Sequence, residues 1–155
     1  MDKKIIFFGA ARLDVPRKGF AFLRESLTLL ARDNYLDLLL VIAGSGIAYQ
    51  LDAIPIKKVL LGNLNFEELA ATYHAADIFV CPTIADSGPT MVNQSIMCGT
   101  PVVTFDVGVC MDLVLEKETG ILVNKNDSFG LYNGICYCSK QPKYILWLEE
   151  NRRNV

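Results

Sequence analysis

A polar run from Asp86 to Gln94 combines side chains and a helix start that suit an anionic ligand. Asp86-Ser-Gly-Pro has the composition of a loop, and residues 90–98 have the pattern of a short helix that Gly99-Thr-Pro ends before an apolar strand. The N–H groups and partial positive charge of a helix N-terminus favour a group such as phosphate. The run therefore predicts an anion site flanked by a carboxylate and an amide.

Two basic residues lie near the start of the chain: Arg12 in the predicted loop between the first strand and the first helix, and Lys18 at the start of that helix. Arginine can form a forked contact with phosphate oxygens, and lysine supplies a point charge. A solvated loop that happens to be basic is the alternative interpretation. Gly9-Ala-Ala lacks the G-x-G-x-x-G spacing, so the loop is not the dinucleotide fingerprint. With the polar run, these residues indicate a site for a nucleotide diphosphate.

Apolar strands and amphipathic helices alternate along the chain and must position these loops. The pattern predicts strands over residues 4–9, 36–43, 58–61, 77–81, 101–104 and 120–123, and helices over residues 18–32, 47–53, 65–74, 90–98, 111–115, 127–138 and 142–147. Asn65 and Asp127 are predicted helix N-caps. Such alternation predicts an α/β fold, a Rossmann-like doubly wound parallel sheet of about six strands. Ligands bind such sheets beyond the carboxyl ends of the strands, so the loops should meet at one rim.

Length and composition narrow the class of protein. At 155 residues the chain has the length of one domain with a substantial core. Hydrophobic residues make up 52% and charged residues 21%, which fits a sheet covered on both faces. The net charge of −2 and the lack of a basic block argue against general nucleic-acid binding. No apolar run approaches the roughly 18 residues that span a bilayer, and we predict a cytoplasmic protein.

The cysteines and the histidine give no sign of a metal site. The five cysteines are odd in number and lack zinc-ligand spacing, which favours reduced, buried thiols. The single histidine, His74, lies on a predicted helix away from the rim, and a structural role is favoured for it. We predict no metal ion.

Several motifs in one order resemble a known family. They are Gly9-x-x-Arg-Leu followed by Lys18-Gly, an Ala43-Gly-Ser-Gly turn, Leu61-Gly followed by a Glu-Glu-Leu helix, and the run from Asp86 to Gly99-Thr-Pro-Val-Val. Together they resemble the carboxy-terminal, donor-binding domain of the family-four (group 1) retaining glycosyltransferases, whose GT-B fold contains two Rossmann-like domains. The resemblance covers residues 4 to about 138.

The resemblance implies roles for individual positions. Arg12 and Lys18 would hold the donor diphosphate, and Asp86 would contact the transferred sugar; these three positions are the implied catalytic residues. Thr90 and Met91 would offer backbone amides to the phosphates. The remaining positions that it places in the donor site are Gly62, Asn63 and Leu64 near the base, Gly88, and Gln94 at the ribose hydroxyls.

Three positions depart from the family pattern. Asp86 is one methylene shorter than the usual glutamate, which changes its reach to the sugar. Gln94 replaces a second carboxylate, so it can accept a ribose hydrogen bond without the assistance of a charge. Pro89 has no N–H to donate to a phosphate.

The resemblance also implies how the chain is organised. Residues 1–140 would form the nucleotide-sugar-binding domain and residues 141–155 a C-terminal helix or tail, while the amino-terminal acceptor-binding domain would be absent. We therefore expect a UDP- or GDP-sugar as donor, no other cofactor, and little or no transferase activity by this chain alone. The complete enzyme would transfer a hexose to a glycan or lipid-linked acceptor in polysaccharide biosynthesis. The resemblance allows its peripheral association with the inner face of the membrane.

Two other classes of function stay open. One is a non-catalytic nucleotide-binding or scaffold module with a degraded donor site, which the changes at Pro89 and Gln94 would fit. The other is an unrelated Rossmann-like enzyme such as an epimerase of UDP-sugars. Those enzymes tend to have a Tyr-x-x-x-Lys pair and the glycine fingerprint, and this sequence has neither.

Overall fold

One parallel sheet forms the centre of the fold. The computed structural model describes residues 3–33, 37–46, 51–85, 90–108 and 110–141. Within them the strands are β1 (Lys3–Arg12), β2 (Asp37–Ser45), β3 (Lys57–Gly62), β4 (Ile78–Cys81), β5 (Val102–Phe105) and β6 (Gly120–Val123). All neighbours pair in parallel, in the order β3-β2-β1-β4-β5-β6. The predicted doubly wound sheet of about six strands is confirmed.

Helices flank this sheet on both faces. The α-helices of the described residues are α1 (Phe20–Asp33), α2 (Phe66–Ala75), α3 (Thr90–Met97), α4 (Cys110–Leu113) and α5 (Ser128–Lys140). α1 packs against α5, whereas α2 packs against α3 and α3 against α4. Right-handed crossovers explain this division, because the chain changes direction across the sheet after β3 and again after β6.

Two predicted helix starts are confirmed by their capping contacts. The Asn65 side chain accepts a hydrogen bond from the Glu68 N–H, and the Glu68 carboxylate accepts one from the Asn65 N–H, forming a capping box. The Asp127 side chain accepts from the Gly130 N–H at the start of α5. These local contacts satisfy helix N–H groups that have no partner within the helix.

Some predicted boundaries are wrong. β1 continues past the predicted end at Gly9, because Arg12 pairs with Ser45 after an irregularity in the register. α1 begins at Phe20 rather than at residue 18, because Gly19 has a left-handed backbone (φ 76°) that ends a preceding 3₁₀ turn, Pro16–Lys18. Of the predicted helix over 47–53, the structure describes only a 3₁₀ turn, Leu51–Ala53. The predicted helix over 142–147 lies outside the described residues.

The two halves of the sheet meet at the pair of β1 and β4, which we call the seam. Ile6 pairs with Ile78 and Phe7 with Phe79 in the sheet register. At the residues that precede these pairs in the chain, the Asp77 N–H donates to the Ile5 carbonyl and the Ile5 N–H donates to the Asp77 carboxylate, both at 2.8 Å. Strand order reverses at the seam, which is the position where doubly wound sheets have a crevice at the carboxyl ends of the strands.

A buried aromatic cluster supports the seam. The Phe7 ring centroid lies 5.2 Å from that of Tyr73 and 5.4 Å from that of Phe79. Tyr73 and Phe79 meet edge to face at 5.5 Å. Phe7 and Phe79 are fully buried and Tyr73 is almost so. Such packing stabilises the pairing of β1 with β4.

The cysteines and the helix lengths bear on two further predictions. All five cysteines are free thiols. Cys110 and Cys138 are buried as predicted, whereas the prediction is wrong for Cys81, Cys98 and Cys136, which are half-buried.

Among the described helices, none has both the length and the apolar character that crossing a membrane requires.

Candidate functional site

A cleft of about 350 Å³ opens at the carboxyl ends of β1 and β4. It lies where the strand order reverses, which is the usual ligand position in a doubly wound sheet. Its lining comes from the end of β1, the following 3₁₀ turn, the end of β4 and the start of α3. These residues are Phe8, Gly9, Ala10, Ala11, Arg17, Lys18, Cys81, Pro82, Thr83, Thr90 and Met91.

The charge of the cleft is positive. Arg17 and Lys18 both line it, and none of its described lining residues is acidic. The apolar surroundings of Cys81 raise the pKa of its thiol to about 12, against the opposing charge of Lys18. Cys81 is therefore a neutral thiol at physiological pH. The side chains that carry charge in the described lining are the two basic ones, and the cleft suits an anion.

The loops that follow β1 and β4 are in direct contact beside the cleft. A Cβ at Gly19 would lie 1.7 Å from the carbonyl oxygen of Pro82, so only glycine fits at this approach. The Arg17 carbonyl accepts hydrogen bonds from the Thr83 hydroxyl at 3.0 Å and from the Ile84 N–H at 2.8 Å. The 3₁₀ turn that carries Lys18 is therefore joined to the segment after β4.

The start of α3 forms another wall of the cleft. Thr90 and Met91 line it, at the positions from which backbone amides were predicted to reach a phosphate. A Cβ at Gly9 would lie 2.9 Å from the Met91 Cε, so the flexible end of the Met91 side chain reaches the end of β1. The predicted site residues Asp86 and Gly88 fall within 86–89 and lie outside the described residues.

Arg12 lies beside the cleft rather than in its lining. Its guanidinium donates to both carboxylate oxygens of Asp14, from Nε at 2.9 Å and from Nη2 at 2.6 Å. This contact lowers the pKa of the Asp14 carboxyl and raises that of Arg12. The Arg12 side chain is 65% exposed. A phosphate that binds Arg12 would therefore compete with Asp14 for the charge and the N–H donors of the guanidinium.

Gln94 and the loop after β3 also lie outside this cleft. The Gln94 amide oxygen accepts a hydrogen bond from the Tyr73 hydroxyl at 3.2 Å. Gln94 lines a separate apolar cavity of about 180 Å³ between α2 and α3, beside Phe66 and Met97. The loop formed by Gly62, Asn63 and Leu64 follows β3, two strands away from β1 along the same rim.

The predicted site residues do not include Arg17, Thr83 or Cys81. A signal for each was present, because Arg17 adjoins Lys18, and Cys81 and Thr83 lie at the end of a predicted strand. The position of a residue at the rim does not reveal which neighbouring loop it contacts. His74 lies in the last turn of α2, and no three metal-ligating side chains converge in the part of the chain that the structure describes.

Comparison with known proteins places the chain in a family. The family model described as "Glycosyl transferases group 1" matches residues 2–141. The chain belongs to this family. The resemblance predicted from the motifs is confirmed, as is the assignment of the fold to one half of GT-B.

The chain matches part of the length of individual glycosyltransferases. It is 35% identical over 115 residues to a phosphatidyl-myo-inositol mannosyltransferase of Propionibacterium freudenreichii, covering 74% of this chain and 28% of that protein. It is 36% identical over 101 residues to a GDP-mannose-dependent alpha-mannosyltransferase of Mycolicibacterium smegmatis, covering 64% of this chain and 26% of that one. The sucrose-phosphate synthase of Thermosynechococcus elongatus superposes with a TM-score of 0.78 at 27% identity, over 99% of this chain and 40% of that one. The chain thus spans between about a quarter and two fifths of these relatives.

Proposed function

We propose that the chain is the donor-binding part of a retaining glycosyltransferase and that its cleft binds the diphosphate of a nucleotide-sugar. The observation that carries this proposal is the positive cleft at the seam. There the turn bearing Arg17 and Lys18 and the N-terminus of α3 border one space. Basic side chains and helix N–H groups are the two kinds of group that hold phosphates most often.

In the proposed reaction, the bond between the sugar and the diphosphate breaks and negative charge develops on the leaving diphosphate. The Lys18 ammonium would stabilise this charge, and so would the amides at Thr90 and Met91. The family suggests that the acceptor oxygen bonds to the anomeric carbon of the sugar while a phosphate oxygen of the leaving group takes the proton of that hydroxyl, which permits retention without an enzymic nucleophile. The acceptor would bind to a domain outside this chain.

The nucleotide is proposed as GDP or UDP. The relative from Mycolicibacterium uses GDP-mannose according to its name, and its 36% identity supports GDP as the first nucleotide to test. A hexose is the proposed sugar, and a glycan or lipid-linked molecule the proposed acceptor.

A non-catalytic scaffold is the second candidate, and two contacts favour it. Arg12 is paired with Asp14, and Gln94 is hydrogen-bonded to Tyr73, so two implied donor-binding side chains have intramolecular partners. A scaffold with a degraded site would bind nucleoside diphosphates weakly or not at all.

The test is a thermal-shift titration of the chain with GDP, UDP and ADP, each compared with its nucleoside. A ligand that binds only the folded state raises Tm by mass action. We expect one diphosphate to raise Tm and its nucleoside to do so much less, because the diphosphate occupies the positive cleft. No shift with any diphosphate at millimolar concentration would contradict the proposal and favour the scaffold.

The pair of Arg12 and Asp14 gives a prediction of increased affinity. Asp14→Asn removes the charge that competes with a phosphate for Arg12, and surface ion pairs contribute little, so we expect about two- to fivefold tighter binding of the diphosphate. Calorimetric titration measures the change. In an Arg12→Ala background the same substitution should have no effect. A gain that persists there would show that Asp14 acts through long-range repulsion rather than through Arg12.

A further inference from the structure

We propose that Thr83 is a positioning residue for diphosphate binding, which acts by holding the main chain of Arg17 and thereby the adjacent Lys18. The proposal rests on the proposed function of the cleft. The contact consists of the Thr83 hydroxyl and the Ile84 N–H, which both donate to the Arg17 carbonyl. We call it the Arg17 clamp.

The geometry of the Arg17 clamp leaves little freedom. The two donors lie 3.0 Å and 2.8 Å from the Arg17 oxygen, so both lone pairs of that carbonyl are engaged. The Thr83 residue is only 1% exposed. A buried hydroxyl that lost its partner would carry the full cost of its desolvation, so the structure favours one fixed arrangement.

The clamp joins parts of the chain that local structure does not join. Within the 3₁₀ turn, the Lys18 N–H donates to Val15 and the Gly19 N–H to Pro16, and these bonds shape the turn without orienting it on the sheet. The bond from Thr83 links the turn to a residue 66 positions later in the chain. It therefore sets where the turn lies relative to β4.

The position of the turn matters because the lysine ammonium must meet a phosphate that the start of α3 also contacts. Thr83 lies on the segment that leads from β4 towards α3, and Lys18, Thr83 and Thr90 line one cleft. A displacement of a binding group by about 1 Å is enough to weaken its contact with a ligand substantially. Thr83 would thus act on the ligand through the main chain at Arg17 and Lys18.

The experiment compares three variants of the chain. Thr83→Val removes the hydroxyl at nearly constant shape, Thr83→Ser retains it, and Thr100→Val is the matched control. Thr100 is also 1% exposed, and its hydroxyl donates a hydrogen bond of 2.5 Å to the Tyr73 carbonyl. Thr100 does not line the cleft. Binding of GDP, UDP and inorganic pyrophosphate is measured by calorimetry, and Tm is recorded for each variant.

We expect Thr83→Val to weaken binding of pyrophosphate and of the preferred diphosphate by about five- to tenfold. Thr83→Ser and Thr100→Val should bind within about twofold of the unsubstituted chain, although both valine variants lower Tm. Equal weakening by Thr83→Val and Thr100→Val would overturn the proposal, since Thr83 would then act only through stability. Unchanged binding by Thr83→Val would overturn it as well.

Amide hydrogen exchange separates failure of the clamp from failure of the proposed function. In the unsubstituted chain, the Ile84 N–H is expected to exchange as slowly as the Phe79 N–H of β4, which donates to the Pro101 carbonyl, and Thr83→Val is expected to accelerate exchange at Ile84. Rapid exchange at Ile84 without any substitution would contradict the clamp. If no probe binds the unsubstituted chain, the proposed function fails, and a positioning role for Thr83 in binding fails with it. Protection of Ile84 would then show a structural contact alone.

Discussion

Lys18→Ala is expected to weaken binding of nucleoside diphosphates by about 10- to 100-fold, the range of one or two charge-assisted hydrogen bonds. The ammonium lines a cleft whose described lining contains basic but no acidic residues, which suits the binding of a phosphate. The Cys81 thiol is neutral and adds no charge to the described lining. Calorimetric titration with GDP and UDP measures the loss.

The matched control for Lys18 is Lys57→Ala. Lys57 is exposed at the amino end of β3, the end of the sheet opposite the cleft. Lys57→Ala changes the net charge by the same amount as Lys18→Ala. An effect of net charge alone on affinity would therefore appear in both variants. We expect the difference between the variants to shrink as salt is raised, because part of the attraction is screened. Equal affinities of the two variants would contradict the assignment of Lys18 to the phosphates.

Gly19→Ala is expected to destabilise the fold by about 3 kcal/mol or more. The left-handed backbone of Gly19 (φ 76°) costs an alanine about 1–2 kcal/mol. In addition, the new Cβ would lie 1.7 Å from the Pro82 carbonyl oxygen, and two backbone segments would have to separate. Such overpacking typically adds about 1–3 kcal/mol. Urea unfolding measures the free energy of unfolding.

Gly62→Ala is the control that separates backbone conformation from space. Gly62 has nearly the same φ (69°), but nothing lies within 4 Å of the Cβ that an alanine would add. Gly62→Ala should therefore lower the free energy of unfolding only by the cost of the left-handed backbone, about 1–2 kcal/mol. The prediction for Gly19 fails if the two variants lose the same free energy of unfolding. Separation of the loops also predicts loss of diphosphate binding by the Gly19 variant.

Much of the fold was predictable because its signals are local. Residues 120–123 are predicted as a strand and form β6 with the same bounds, because a glycine and three apolar residues lie between polar loops. Asn65 caps α2 with the help of a glutamate three residues later, a contact that needs no tertiary partner. Alternation of strands and helices then restricts the topology to a parallel sheet.

The site was less predictable because its arrangement depends on contacts across the sheet. Arg12 and Lys18 belong to one predicted loop, yet Lys18 lines the cleft and Arg12 is held by Asp14. That difference depends on where the 3₁₀ turn lies, which the contact between Arg17 and Thr83 determines. Gln94 follows Thr90 by one helical turn, but the packing of α2 against α3 brings Tyr73 to its side chain. The pattern of a single sequence does not predict the contacts of Arg12 with Asp14, of Arg17 with Thr83 or of Tyr73 with Gln94.

The position of the cleft on the seam has a consequence for how the chain reaches its native state. β1, β2 and β3 come from the first part of the chain and β4, β5 and β6 from the rest, and the two sets meet through Ile6 with Ile78 and Phe7 with Phe79. Closing contacts across so many residues is slow, since the entropy of a long loop must be lost first. A partly folded chain with either set of strands alone would have secondary structure but not the complete cleft. Recovery of ligand binding during refolding would therefore report the closure of the seam, later than circular dichroism reports the helices.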